Sequence, residues 1–194
     1  MAVTRDQIVA AAIQHLNHDP AASMAEIAKA TGVSRATLNR HFAGREELLI
    51  ALGHHAMDDW EAAQEEGGFE AAARSTDPEV IIDALQAYLR GLVTHAEQHS
   101  FALTDLGMSI PELRERSDRL ESREIALFEA AQRAGVLRSD LPARWISNVG
   151  YGLLLAVRES LNRGDVARRD LPRVLNETFF HGTGVPGQQR GKTS

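Results

Sequence analysis

Apolar residues recur every three or four positions through most of this 194-residue chain, a spacing that places them on one face of successive helices. In the first helix, from about Arg5 to Asn17, the inward residues would be Ile8, Val9, Ala12, Ile13 and Leu16. Further helices are predicted from Arg45 to Glu66, from Pro78 through Val93, from Pro111 to about Ala134, from Pro142 to Arg163 and from Leu171 to Phe180. The pattern predicts an all-α protein.

Residues 23–42 form two short helical segments joined by a tight turn. Ser23 and Glu26 have the spacing of a capping box, in which each side chain bonds the other residue's backbone amide. Gly32 stands where the turn needs a left-handed backbone. Ser34 is a typical cap for the helix that follows. Together these residues predict a helix-turn-helix.

The second short helix would turn Leu38 and Phe42 inward and leave its other side chains facing outward. From Ile27 to Arg45 the chain carries four cations and no acid. A positively charged face on a helix-turn-helix is typical of DNA binding, although a helical hairpin with a solvated charged face is the alternative. The candidate DNA-contacting residues are Lys29, Ser34, Arg35, Ala36, Thr37, Asn39, Arg40, His41 and Arg45, with Lys29, Ser34 and Arg45 expected mainly on phosphates.

Residues 4–52 resemble the DNA-binding domain of the tetracycline-repressor (TetR) family of bacterial and archaeal regulators. The matching residues are Ile27-Ala28, Gly32-Val33-Ser34, Thr37-Leu38, His41-Phe42 and Arg45-Glu46-Glu47-Leu48-Leu49. The resemblance implies a three-helix DNA-binding head, a larger all-helical ligand-binding body and a homodimer. The family usually has a phosphate-contacting tyrosine where this chain has Asn39, whose amide can bond a phosphate or a base edge.

The expected domain organisation follows from these helices. We expect a helix-turn-helix DNA-binding domain over residues 1–48 and a helical effector-binding and dimerisation domain over residues 49–182. The Gly-containing, polar residues 183–194 are expected to form a flexible tail.

The resemblance also implies an effector pocket between the helices of the body. The candidates are large or semi-polar residues on otherwise apolar faces, each of which could instead belong to the core. They are Met57, Trp60, Tyr88, Phe101, Met108, Phe128, Asn148 and Tyr151. Their composition favours a small, mostly apolar and partly aromatic ligand.

The helix over residues 142–163 carries an apolar stripe wider than one core requires. Gly150, Gly152 and Ala156 would let another helix approach closely, so we expect one surface toward the body and one toward a partner. A single buried core helix is the alternative. The helix over residues 142–163 and the last helix correspond to the pair that forms a four-helix dimer interface in the family. The expected interface residues are Trp145, Val149, Leu153, Val157, Leu161, Leu175 and Phe179.

The charges are unevenly distributed along the chain. The net charge is −6, yet residues 1–45 carry five Lys/Arg against three Asp/Glu, and the rest carry 16 against 24. An acidic body behind a basic head orients the molecule on DNA and is compatible with DNA binding. Residues 112–124, which end with Glu124, alternate in sign and favour a solvated, salt-bridged face.

Several other classes of protein are disfavoured. Cysteine is absent, so neither disulfides nor cysteine-ligated metals are expected. The first helix leaves no room for a signal peptide and no apolar run could span a membrane, so a cytoplasmic protein without a membrane partner is expected. His95 and His99 have a spacing that can hold zinc, but the glutamate of an HExxH motif is missing. We therefore predict no metal site, no other cofactor and no enzymatic activity.

These observations predict a DNA-binding transcriptional regulator. It would be a ligand-responsive repressor that binds a palindromic operator as a homodimer and is released by the effector. The alternative is a helical dimeric adaptor, or a small-molecule-binding module, that does not bind DNA.

Overall fold

Helices make up 80% of the computed structural model, which describes residues 3–103 and 111–185. The α-helices are α1 (Arg5–His18), α2 (Met24–Ala30), α3 (Arg35–His41), α4 (Arg45–Glu66), α5 (Phe69–Arg74), α6 (Pro78–Gln98), α7 (Pro111–Arg133), α8 (Ala143–Arg163) and α9 (Leu171–Thr183). Short 3-10 turns lie at Ser100–Leu103 and Arg168–Asp170. Apart from these helices, the described residues contain one isolated β-bridge, between Leu137 and Gly184. The predicted all-α class is confirmed.

The starts of α2 and α3 have the caps that the sequence predicts, and α1 begins with a capping box as well. Ser23 and Glu26 form the capping box, with the Ser23 amide 2.7 Å from Glu26 Oε2 and the Glu26 amide 3.3 Å from Ser23 Oγ. The bonds from Ser23 also lower the pKa of Glu26. Thr4 and Gln7 form a second capping box on α1, and Ser34 caps α3. Each cap satisfies amides that the first helical turn leaves without a partner.

The turn between α2 and α3 is closed by a Schellman motif. The Val33 amide donates to Ala28 O at 3.0 Å, and the Gly32 amide donates to Lys29 O at 3.2 Å. This pairing requires a left-handed residue, and Gly32 has φ +71°. The predicted turn is confirmed, and it fixes the direction in which α3 leaves α2.

The chain forms two compact units, each described separately. The first comprises Met1–Asp59 with Gln98–Arg116, and the second comprises Trp60–Glu97 with Ser117–Ser194. The first unit thus extends beyond the expected domain limit at residue 48 and includes a segment from much later in the chain. We call these the head unit and the body unit.

A hydrophobic core between α1, α2, α3 and the start of α4 holds the head unit together. Its fully buried members include Ile8, Leu16, Ile27, Leu38 and Phe42, and Phe101 joins them from the 3-10 turn after α6. The side chain of Asn17 holds that turn against α1. Its Nδ2 donates to Gln98 O at 2.7 Å, and its Oδ1 accepts from the Phe101 amide at 3.1 Å.

Aromatic side chains occupy the core of the body unit. The Tyr88 ring lies 5.2 Å from Phe128 and 6.1 Å from Phe179, centroid to centroid. Gly150 lets α8 approach this cluster closely, because a Cβ there would lie 1.8 Å from the Tyr88 hydroxyl oxygen. The close approach expected at Gly150 is therefore made within one chain.

Two segments differ from what the sequence predicts. Residues 69–74, which lie between two predicted helices, form a further helix, α5, because Phe69 and Ala72 are buried on one side of it. Residues 183–185 belong to the expected flexible tail, but Thr183 O accepts from the Arg138 amide at 2.9 Å and the Val185 amide donates to Val136 O at 3.2 Å. The rest of the expected tail lies outside the described residues.

Candidate DNA-binding surface and sites in the two units

Helix α3 presents one buried and one exposed face. Leu38 on α3 and Phe42 just after it are fully buried in the head core. Since successive side chains of a helix are about 100° apart, Ala36 and Arg40 lie opposite those anchors. Both are exposed. The small side chain of Ala36 beside a long cationic one would let the helix backbone approach a groove closely.

The helix-turn-helix carries positive charge that no ion pair found among the described residues neutralises. Lys29, Arg35 and Arg40 are exposed, and none of the ion pairs found among the described residues includes them. The surrounding sequence from Ile27 to Arg45 contains no acid. Exposed cations without acidic partners favour binding of an anion such as a phosphate backbone.

The other polar candidates on α3 are held to different degrees. Ser34 Oγ accepts from the Thr37 amide at 3.0 Å and lies 2.9 Å from the Thr37 hydroxyl, so both side chains take part in the cap. Asn39 is exposed on the helix surface. His41 is half-buried, with its ring 6.5 Å from that of Phe42.

Arg45 was expected mainly on phosphates, and in the structure it bonds backbone carbonyls of the protein itself. Its guanidinium donates to Ala22 O, and Nη2 donates to Pro20 O at 2.7 Å. These bonds tie the loop between α1 and α2 to the start of α4. These bonds give Arg45 a part in positioning the helix-turn-helix, while its expected contact with phosphates stays a prediction.

A buried polar cluster in the body unit was missed by the sequence analysis. Glu124 is only 5% exposed, although its alternating-charge surroundings predicted a solvated face. Trp60 Nε1 donates to Glu124 Oε1 at 2.7 Å, and Gln64 Nε2 lies 3.4 Å from the same oxygen. The amide Nε2 of Gln64 also donates to Leu120 O at 3.0 Å. Charge alternation gave no sign of this burial because α7 turns Glu124 inward beside Leu120 and Leu127.

Burial changes the proton affinity of this cluster. Desolvation raises the pKa of Glu124 to about 7, against the opposing effect of the bonds from Trp60 and Gln64. Desolvation, with a smaller effect of Glu124, raises the pKa of the Tyr88 hydroxyl well above its ordinary value. Gln64 Oε1 is a buried acceptor for which the described residues supply no donor. The cluster can thus exchange a proton near neutral pH and accept a hydrogen bond.

The predicted effector residues do not all come together. Trp60, Tyr88 and Phe128 lie around the Glu124 cluster or the aromatic core next to it. The prediction that Phe101 lines a pocket of the body is corrected, because its side chain is only 6% exposed and lies in the head core. Asn148 and Tyr151 are exposed on α8, and their place at an effector site stays a prediction. Met57 is half-buried in the head unit, and Met108 lies outside the described residues.

The expected dimer residues divide into two groups. Val157, Leu175 and Phe179 are buried within their own body unit, so their assignment to a partner surface is corrected. Val149, Leu153 and Leu161 are half-buried, and Trp145 is 56% exposed. The open face of α8 therefore lies around Trp145, Tyr151, Gly152 and Ala156.

In the head unit, the structure places His99 beside His55 and Asp59. Burial lowers the pKa of His99, although its bond to Asp59 acts in the opposite direction. Spacing along the chain pairs His99 with His95 and gives no sign of this arrangement, because His55 and Asp59 come from α4.

Comparisons with known proteins agree with this arrangement. Residues 8–52 match the model of the bacterial regulatory proteins of the tetR family. The chain is 31% identical over 166 residues to the HTH-type transcriptional repressor LfrR of Mycolicibacterium smegmatis, covering 83% of this chain and 80% of LfrR. It is 27% identical over 172 residues to the HTH-type transcriptional regulator NfxB of Pseudomonas aeruginosa, covering 87% and 88% of the two chains.

Solved structures show the same fold. The crystal structure of LfrR in complex with proflavine has a TM-score of 0.69 and 26% identity, covering 93% of this chain and 97% of that one. KstR2 of Mycobacterium tuberculosis, a ketosteroid transcriptional regulator, has a TM-score of 0.72 at 15% identity, covering 95% and 97%, and shows the fold alone.

This chain belongs to the TetR family of transcriptional regulators. The predicted class of function is thereby confirmed. No helix among the described residues is both long enough and apolar enough to cross a membrane.

Proposed function

We propose that this protein is a ligand-responsive repressor that binds a palindromic operator as a homodimer and leaves it when a small effector binds. The observation that carries the proposal is the exposed, acid-free face of α3, with Arg35 and Arg40 outside any ion pair of the described structure. The capped turn at Gly32 and the bonds of Arg45 hold that face in a fixed orientation on the head unit. A fixed cationic helix is the device by which helix-turn-helix proteins enter a major groove.

The charges predict how the affinity depends on salt. Two heads would bring Lys29, Arg35 and Arg40 twice each to one duplex. If Lys29 and Arg35 of both heads neutralise phosphates, the logarithm of the affinity falls against the logarithm of salt with a slope of roughly −4. Because Ala36 and Arg40 lie at the centre of the outward face, we expect Arg40 and Asn39 to approach base edges and Lys29 to remain on the backbone.

DNA binding is tested with duplexes from the region upstream of the protein's own gene, by fluorescence anisotropy at several salt concentrations. We expect Lys29→Ala to weaken all duplexes alike and to reduce the slope by about 2, and Arg40→Ala to reduce the preference for the operator. The matched control is Arg74→Ala, an exposed arginine of the body unit that pairs with Glu70. Absence of affinity for any duplex at low salt would refute the proposal.

The open face of α8 supports homodimerisation. Trp145 and Tyr151 are two of the few large apolar side chains exposed in the described structure, at 56% and 40%. A Cβ on Gly152 would meet nothing within 4 Å, so the helix backbone is open to a partner there. Exposed aromatic residues beside small ones favour packing against a second helix.

Sedimentation equilibrium tests the dimer. We expect Trp145→Glu to shift the protein toward monomers, because it would bury a charge in an apolar interface. Val80→Glu is the matched control, since Val80 is an exposed apolar residue (43%) on a different helix, α6. A wild-type monomer, or equal effects of both variants, would refute the interface.

The Glu124 cluster supports an effector that is aromatic and also carries a hydrogen-bond donor or a positive charge. Within the described residues no cation pairs with Glu124, and its bonds come from Trp60 and Gln64. The relative LfrR has been crystallised with proflavine, an aromatic amine that can serve as a probe. Binding such a ligand would favour a conformation whose heads no longer match the operator.

Proflavine fluorescence tests this site. If the ligand pairs with ionised Glu124, its affinity should rise between pH 6 and 8, and Glu124→Gln should weaken it by about tenfold, equivalent to 1.4 kcal/mol. Glu70→Gln, at an exposed position of the body unit, is the control. Equal proflavine affinity in Glu124→Gln would remove Glu124 from the effector site, whereas the DNA experiment would be unaffected.

A further inference from the structure

Two histidines and an aspartate of the head unit converge on one point. His55 and Asp59 are four residues apart on α4 and thus lie on the same face of the helix. His99 directly follows α6. His99 Nε2 lies 2.8 Å from Asp59 Oδ2, and His55 Nδ1 lies 3.5 Å from the same oxygen. The two rings are 5.8 Å apart, centroid to centroid.

The separations are those of ligands around a small ion. One donor atom from each residue lies within 4.8 Å of the other two. Around an ion with bond lengths of about 2.0–2.2 Å, tetrahedral ligand atoms are separated by about 3.3–3.6 Å. Small rotations of the side chains would therefore bring all three atoms to bonding distance.

The surroundings of His55 point to the same conclusion. The Nδ1 atom of His55 is buried, and it forms no hydrogen bond with any other described residue. The hydrogen bond between His99 and Asp59 explains the position of that pair, but it does not explain why a second ring aims a buried nitrogen at the same oxygen. A shared ligand explains all three positions.

We propose that His55, Asp59 and His99 bind a divalent transition-metal ion such as Zn²⁺. Two imidazole nitrogens and one carboxylate oxygen suit zinc and its neighbours in the first transition row better than Ca²⁺ or Mg²⁺, which prefer oxygen ligands. This assignment departs from the sequence prediction, which placed no metal in the protein.

The position of the cluster provides access for an ion and a fourth ligand. His99 is buried, whereas the Asp59 side chain is 44% exposed. His55 also lines a surface cleft of about 440 Å³ beside α1 and α4. Through the exposed side of Asp59, water can reach the site and complete the coordination.

An ion here would cross-link the head unit. It would join α4 to residue 99, and the residues on either side of His99 are already bonded to Asn17 of α1. An ion that binds the folded chain and not the unfolded one stabilises the fold by mass action. Metal binding would therefore stabilise the packing of α1 against α4 without involving the Glu124 cluster.

The test uses the full chain, freed of metal with a chelator and dialysed. Zn²⁺ is titrated calorimetrically, and Co²⁺ is added as a spectroscopic probe of the ligand set. We expect one ion per chain, a visible Co²⁺ absorption band and a higher melting temperature with Zn²⁺. His55→Ala and Asp59→Asn, both at partly exposed positions, should weaken binding by about tenfold or more while the chain stays folded. His99→Gln should do the same, with circular dichroism to confirm folding.

The matched control is His54→Ala, which removes the neighbouring histidine outside the cluster. It should change the affinity less than about twofold, a difference below 0.5 kcal/mol. Binding only at millimolar Zn²⁺, or an equal loss in His54→Ala, would overturn the proposal. Either result would leave His99 and Asp59 as a hydrogen-bonded structural pair.

Discussion

Replacing Glu124 with glutamine should abolish a fall in stability that the wild-type protein shows between pH 5 and pH 8. In the unfolded chain this carboxyl has its ordinary pKa of 4.5, whereas burial raises the pKa in the folded protein to about 7. Between those values the folded state holds a proton that the unfolded state has lost. The free energy of unfolding therefore decreases as the pH rises, and the loss is complete above pH 7.

The size of the effect follows from the two pKa values. A difference of one in pKa corresponds to about 1.4 kcal/mol, so the wild type should lose roughly 2 to 3 kcal/mol at this residue between pH 5 and pH 8. The glutamine amide keeps an acceptor for Trp60 Nε1 and offers a donor to Gln64 Oε1. The variant should therefore fold and lack this contribution to the pH dependence.

Urea denaturation, followed by circular dichroism at half-unit pH steps, measures the difference. As the pH rises from 5 to 8, the free energy of unfolding of Glu124→Gln should increase relative to that of the wild type by roughly 2 to 3 kcal/mol. Glu70→Gln provides the control, because its carboxylate is exposed on α5. Parallel pH curves for Glu124→Gln and the wild type would refute the burial and protonation of Glu124 described above.

Four further substitutions test the packing. Gly32→Ala should lower the free energy of unfolding by about 1 to 2 kcal/mol, measured in urea, because φ is +71° there; an unchanged midpoint would contradict the strained turn. Arg45→Ala should lower the free energy of unfolding by about 1 to 2 kcal/mol, because its bonds to the loop at Pro20 are lost, and should leave the salt slope of DNA binding unchanged; a flatter slope would show that Arg45 contacts phosphates. Asn17→Ala should destabilise the head unit by about 2 kcal/mol and increase amide exchange at residues 98–102; unaltered exchange would show that its bonds do not hold the turn. Gly150→Ala should lower the melting temperature by several degrees, because the new Cβ would collide with the core tyrosine; a variant as stable as the wild type would show that this core can yield.

The sequence could predict those parts of the fold that depend on neighbouring residues. Bonds between residues three to five apart form the capping boxes at Thr4 and Ser23 and the turn at Gly32. The chemistry of a short segment therefore determines these features. The outward face of α3 follows from the helical period once Leu38 is placed inward. For the same reason the boundaries of α7 and α8 differ from prediction by only a residue or so.

Features that depend on distant contacts were not accessible from the sequence. Glu124 lies in a run of alternating charges, and only the approach of Trp60 and Gln64 from α4 makes its position buried. Val157 and Phe179 have the spacing of an interface, but their own body unit covers them. His99 acquires two neighbours from α4, which no local spacing indicates.

The place of Phe101 in the core around α1–α3 affects when that core can be completed. During synthesis on the ribosome, α1–α3 leave the exit tunnel well before α6. Their core lacks one apolar side chain until Phe101, in the 3-10 turn after α6, has left the tunnel as well. A chain cut short before that point has a cavity in the head core where the aromatic ring should be, and this cavity would destabilise its DNA-binding helices. Fusing the DNA-binding helices to another protein would therefore require the 3-10 turn after α6 as well.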